Sequence, residues 1–102
     1  MVKKKRRVLE IFEFKVKGSL DEENIKRLSD KFNKFVEMQP GFEHRMILKD
    51  GAKWMDMIQW RNVDYAKSAR KEAKKSEDCK DFFNIISEKS VKMVYPELVK
   101  MY

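Results

Sequence analysis

The chain has 102 residues, of which 42% are hydrophobic, 12% aromatic and 40% charged, and 24 Lys+Arg against 17 Asp+Glu give a net charge of +7. That length excludes multidomain machinery and large Rossmann or barrel enzymes, and the apolar content excludes a disordered chain. Without the run Lys3, Lys4, Lys5, Arg6 and Arg7, 19 cations face 17 acids, so most of the excess charge sits on a basic tail, residues 1–7, ahead of a nearly neutral domain.

Val8 to Lys17 alternates apolar residues at Val8, Phe12, Phe14 and Val16, which predicts a strand. Leu9 and Ile11 make the first half of its other face apolar too. Ser19 with Glu22 matches a capping box. Ile25, Leu28, Phe32, Phe35 and Val36 then recur at helical spacing, predicting a helix to about Met38 that Pro40-Gly41 stops. Phe42 to Leu48 and Trp54 to Trp60 predict two strands, and the short turn Lys49 to Lys53 makes them an antiparallel hairpin. With Leu48 opposite Trp54, Met46 pairs with Asp56, His44 with Ile58 and Phe42 with Trp60. A slip of one or two residues remains open.

Asn62 is a good N-cap. The following helix has a small-residue side, Ala66, Ala69 and Ala73, and a basic stripe, Lys67, Arg70, Lys71, Lys74 and Lys75. A shorter helical piece over Glu77 to Ile86 carries Phe82, Phe83, Ile85 and Ile86. Ser90 to Tyr95 predicts the last strand, and residues 96–102 a C-terminal arm.

Strand, helix, strand, strand, helix, strand is the ferredoxin-like plan, an α+β domain over residues 8–95 with a four-stranded antiparallel sheet and two main helices on one face. The free face of such a sheet is polar in a monomer. Here either face retains several apolar residues, which predicts a homodimer with sheets packed face to face.

Gln39-Pro40-Gly41-Phe42 enters the second strand, Trp54-x-Asp56 lies in the third, and Trp60 is followed by Asn62 and Ala66. Cys79 and Phe82-Phe83 precede the last strand. In these elements, over roughly residues 8–95, the chain resembles the antibiotic biosynthesis monooxygenase family of dimeric α+β barrels. The resemblance implies a homodimer with a ligand cavity between sheet and helices in each protomer. It also implies oxygenation of a small apolar or aromatic molecule without a cofactor, as in relatives acting on aromatic polyketides or quinols. The heme-degrading branch carries a further Trp and a His around the second main helix, and residues 66–80 have neither.

For that chemistry His44, the only histidine, is the candidate base, because its unperturbed pKa lies near neutrality. Asp56, on the same face in the predicted register, would orient it. Pairing with Arg45 is the structural alternative for Asp56, since a buried carboxylate needs a partner. Trp54, Trp60 and Phe12 are candidate cavity walls or plain core. Asn62 either caps its helix or holds a reactive oxygen species through its amide.

One His and one Cys give no zinc spacing. No K/R-G-F/Y-G/A-F motif supports nucleic acid on the sheet. The lone Cys79 fits a reducing compartment. Glu10 and Glu13 interrupt the apolar stretch behind the basic start, and no segment approaches the roughly 18 apolar residues of a membrane helix. A cytoplasmic protein without membrane attachment is expected. The competing readings are a non-catalytic ligand-binding or accessory protein on the same fold, and a weak polyanion binder working through the tail.

Overall fold

The computed structural model describes residues 5–102; Lys3 and Lys4 of the basic tail lie outside the described residues. The elements are β1 (Val8–Phe14), α1 (Glu22–Val36), β2 (Phe42–Asp50), β3 (Lys53–Trp60), α2 (Val63–Ala73), α3 (Glu77–Asn84), a 3-10 turn (Glu88–Ser90) and β4 (Lys92–Val94). The sheet order is β2-β3-β1-β4, with every neighbouring pair antiparallel. This is the ferredoxin-like α+β architecture that the order of elements predicts.

The cap of α1 is Asp21, not Ser19: its side chain accepts from the Asn24 N–H at 2.8 Å, and Glu22 and Glu23 fill the acidic first turn. A carboxylate cap meets the positive helix end with a full charge. Starting there turns Ile25, Leu28, Phe32 and Val36 into the core. Gly41 then takes φ +81°, and a Cβ there would lie 2.3 Å from the Tyr65 ring. Only glycine allows both that backbone and that approach.

The β2–β3 register differs from the expected one by a single residue. Lys49 lies opposite Trp54, Ile47 opposite Asp56, Arg45 opposite Ile58 and His44 opposite Gln59, while Phe42 still faces Trp60 across an irregularity at Glu43. The cause is the turn. Asp50 pairs directly with Lys53, leaving the two-residue loop Gly51-Ala52. Gly51 at φ +60° suits its first position. A one-residue slip moves every side chain to the other face. Arg45 and Ile47 therefore face the helices, and His44, Met46 and Leu48 face away. The bulge restores the parity of Phe42.

All three helices cover one face of the sheet. Ala66, Ala69 and Ala73 are buried and let α2 lie close to it. Phe82 of α3 stacks on Phe32 of α1 with ring centroids 5.1 Å apart, and meets the Phe14 ring edge-on at 5.8 Å. The C-terminal arm runs back along the start of β1, with Leu9 N–H donating to the Pro96 carbonyl at 3.0 Å and Leu98 N–H to that of Arg7 at 2.7 Å. Among the described residues no helix is long and apolar enough to cross a membrane. The opposite sheet face stays uncovered: Met46 is 54% exposed, Leu48 37% and Val94 55%, beside half-buried Leu9, Ile11, Met55 and Met57.

Candidate functional site

Strand alternation places Val8, Glu10, Phe12 and Phe14 on the helix side of β1, and Asp56, Ile58 and Trp60 on the helix side of β3. A carboxylate in the middle of this face must be accommodated, because burying an unpaired charge is costly. Glu10 is 6% exposed. It accepts from the Trp60 indole Nε1–H at 3.3 Å, and Arg70 of α2 brings its guanidinium to 3.7 Å from the other carboxylate oxygen. Burial pushes the Glu10 carboxyl above its ordinary value; the Trp60 hydrogen bond and the Arg70 charge offset this in part. Burial, followed by the Glu10 charge, likewise raises the Tyr95 phenol.

Around Glu10 the packing is incomplete. Two inner voids of about 30 and 20 Å³ share Glu10, Phe32, Ile58, Arg70 and Phe83 as walls. Outside them a pocket of about 330 Å³ opens between Phe12, Phe83, Ile86 and Val91, with Arg70, Lys74 and Glu88 at its polar edge. Arg70 and Phe83 border all three spaces, so they stand between the mouth and the buried carboxylate. Arg70 also lies over the Phe12 ring at 5.3 Å. A larger hollow of about 680 Å³ lies on the outside, between the basic tail and the C-terminal arm. The described tail cations there already meet acids of the domain, Lys5 with Asp64, Arg6 with Glu97 and Arg7 with Glu43. None of the buried polar residues borders it, so the space between sheet and helices is the better candidate.

The structure brings Phe12 and Trp60 to this site and separates the other sequence candidates from it. His44 is exposed on the opposite sheet face, so the expected His44–Asp56 pair is absent; the one-residue register shift is the reason. Asp56 borders the smaller inner void, but both its oxygens are taken by Arg45, at 2.9 and 2.7 Å. Arg45 gives its remaining N–H groups to the Ser29 carbonyl, the Ser29 hydroxyl and Asn33. All five guanidinium donors are thus used. The Asn62 side chain accepts from the N–H groups of Asp64 and Tyr65, which makes it a helix cap. Trp54 is buried core beneath Lys49 and does not line the pocket.

Neither Glu10 nor Arg70 is marked as a site residue by its sequence context. Glu10 carries a consequence for stability. The folded chain holds its proton to higher pH than the unfolded chain does, so it binds more protons as pH rises above the ordinary value of 4.5. Stability must fall through that interval. Urea midpoints of Glu10→Gln should therefore decline less than those of the parent between about pH 5 and neutrality. Parallel profiles would show that Glu10 is not desolvated.

No family model matches the sequence, and no curated protein does. The fold has many solved counterparts. SnoaB, a cofactor-independent oxygenase from Streptomyces nogalater, is 13% identical, with a TM-score of 0.76 over 94% of this chain and 96% of that one. A Bordetella bronchiseptica protein provisionally assigned to the antibiotic biosynthesis monooxygenases is 14% identical, with a TM-score of 0.79 over 94% and 100% of the two chains. An Arabidopsis thaliana protein described as hypothetical is 12% identical, with a TM-score of 0.69 over 100% and 96%. At these identities the likeness is one of fold, and the chain shares the ferredoxin-like fold of the antibiotic biosynthesis monooxygenases.

Proposed function

We propose that this chain forms a homodimeric α+β barrel and binds a small apolar or aromatic molecule in each protomer, between sheet and helices, for oxygenation without a metal or organic cofactor. The observation that carries the ligand reading is the pocket of about 330 Å³ between Phe12, Phe83, Ile86 and Val91, which shares Arg70 and Phe83 as walls with the inner voids around the buried Glu10. It lies in the size range of small-ligand sites and has an apolar wall with few polar groups. The uncovered sheet face supports the dimer. Exposed Met46, Leu48 and Val94 continue a patch that also contains Met55 and Met57. Methionine-rich surfaces of this kind adapt well to a partner.

In the oxygenation, an acidic C–H or O–H of the substrate loses its proton. The resulting anion passes one electron to O₂, and the radical pair joins in a C–O bond. Loss of water then leaves a carbonyl, so one oxygen atom enters the product and the other leaves as water. The proton acceptor in this reading is Glu10, which borders the inner voids behind Arg70 and Phe83 and takes the role expected of His44.

Native mass spectrometry and oxygen uptake test this reading. The protein should run as a dimer, and Met57→Asp, which places a charge in the centre of the uncovered face, should shift it to monomer. A naphthohydroquinone should bind one per protomer and consume O₂ above its spontaneous oxidation. Binding without catalysed uptake favours the accessory, non-catalytic alternative. A monomeric parent protein that binds nothing refutes the proposal.

A further inference from the structure

Resting on the ligand cavity just described, we propose that its ligands are small apolar or aromatic acids bound as anions on Arg70, with Glu10 as the counter-ion they replace. Arg70 is placed for this. Its side chain is 35% exposed, against 7% for Glu10, so an incoming molecule meets the cation before the carboxylate. Its contact with Glu10 is 3.7 Å, longer than a hydrogen bond, and among the described residues Glu10 is its only acidic partner. The contrast with Arg45 is informative. That guanidinium is closed by five hydrogen bonds and is 6% exposed. Among the described residues the Arg70 guanidinium makes no hydrogen bond, and it borders a pocket mouth. Lys74, one turn along α2, adds a second cation there against a single acid, Glu88.

The apolar walls set the other half of the ligand. Phe12, Phe83, Ile86 and Val91 suit a ring or a short hydrocarbon, and a charge-assisted contact to Arg70 would fix its acidic end. Exchange then has a consequence at Glu10. The groups facing Glu10 are Arg70 from α2, Asp56 from β3, and Tyr95 beyond β4; α1 and α3 contribute the rings of Phe32 and Phe83. Arg70 is the only cation among them. Once its charge is neutralised by a ligand, Glu10 is left buried with no cation of its own, since Arg45 is held by Asp56, and takes up a proton. A carboxylate ligand draws that proton from solvent; a phenol brings its own, which is the transfer the oxygenation needs.

Calorimetric titration of the full chain with 1-naphthoate and with its neutral counterpart 1-naphthalenemethanol tests the proposal. Each is run between about pH 5 and 9 in buffers of different ionisation enthalpy. The acid should bind about tenfold or more tightly than the alcohol, as one charge-assisted contact implies. Its binding should take up protons over an interval above the ordinary carboxylate range, and that of the alcohol none. Glu10→Gln, which removes the competing anion, should bind naphthoate more tightly than the parent and lose the uptake. Arg70→Met should lose the preference for the acid. Equal affinities, or no proton uptake by the parent protein at any pH, overturn the proposal while leaving the cavity reading intact. So does a naphthoate preference that survives in Arg70→Met, because the acid then sits elsewhere on the basic surface. Failure of both compounds to bind overturns both readings. The parent protein's proton count decides the matter even if a variant does not fold.

Discussion

Asp56→Ala should lower the free energy of unfolding by about 3–5 kcal/mol, the loss expected when one partner of a buried ion pair is removed. The Arg45 and Asp56 side chains are 6% and 3% exposed and share two hydrogen bonds, of 2.7 and 2.9 Å. Truncating the carboxylate strands a buried guanidinium that packs 4.9 Å from the centre of the Phe32 ring, without two of its acceptors. Asp56→Asn should cost less, since an amide oxygen still accepts one N–H. The double variant Arg45→Met, Asp56→Leu should recover most of the loss, because an apolar pair needs no compensation. Urea denaturation of the parent and the three variants supplies the comparison. A loss under about 1 kcal/mol in Asp56→Ala would show the pair to be hydrated. A gain in stability would point to a carboxylate held ready for a ligand, since such groups are strained against their surroundings.

That pair marks how far the sequence could be read. Element order and type came directly from periodicity: Ile25, Leu28, Phe32 and Val36 form the buried stripe of α1, and the alanines of α2 are its buried side. The uncovered apolar face was visible because both parities of β1 and β3 carry hydrophobic residues. The register was not visible. An Asp-Gly pair within five turn residues fits several loop lengths, and each moves β2 by one position. A five-residue loop sets His44 on the face of Asp56, on a diagonal from it. The two-residue loop put Arg45 there instead.

The site was harder to read for a related reason. Glu10 has the parity of Val8, Phe12 and Phe14, so alternation alone places it inward. As a break in an apolar stretch it argues against a signal peptide and nothing more. Arg70 belongs to a stripe whose other members, Lys67, Lys71, Lys74 and Lys75, are solvent-exposed. Only its position four residues after Ala66 and one after Ala69 sets it at the border of the buried side. A buried charge shows itself when its partner is known, and Glu10 and Arg70 lie on elements separated by most of the chain.

Phe82→Ala should cost about 3–5 kcal/mol as well, and should reach the ligand site through the backbone. Phe82 is 1% exposed. Its ring stacks on Phe32 at 5.1 Å and 14°, stands edge-on to Phe14 at 5.8 Å and 85°, and lies 5.9 Å from the Arg45 guanidinium. These contacts tie α3 to both α1 and the sheet, so the cavity left by alanine cannot close without moving α3. The next residue, Phe83, is a wall of the pocket and of both inner voids. Phe82→Ala should therefore weaken naphthoate binding although Phe82 does not line the pocket mouth, and hydrogen exchange should rise over residues 77–84 first. Phe82→Leu, which fills much of the same volume, should lose far less of both. Phe83→Ala supplies the contrast. Its side chain is half-buried, so it should weaken binding with the smaller stability loss. If Phe82→Ala lost stability with no change in affinity or in exchange over α3, the helix would be anchored by something other than this ring, and Phe83 would hold the pocket wall independently.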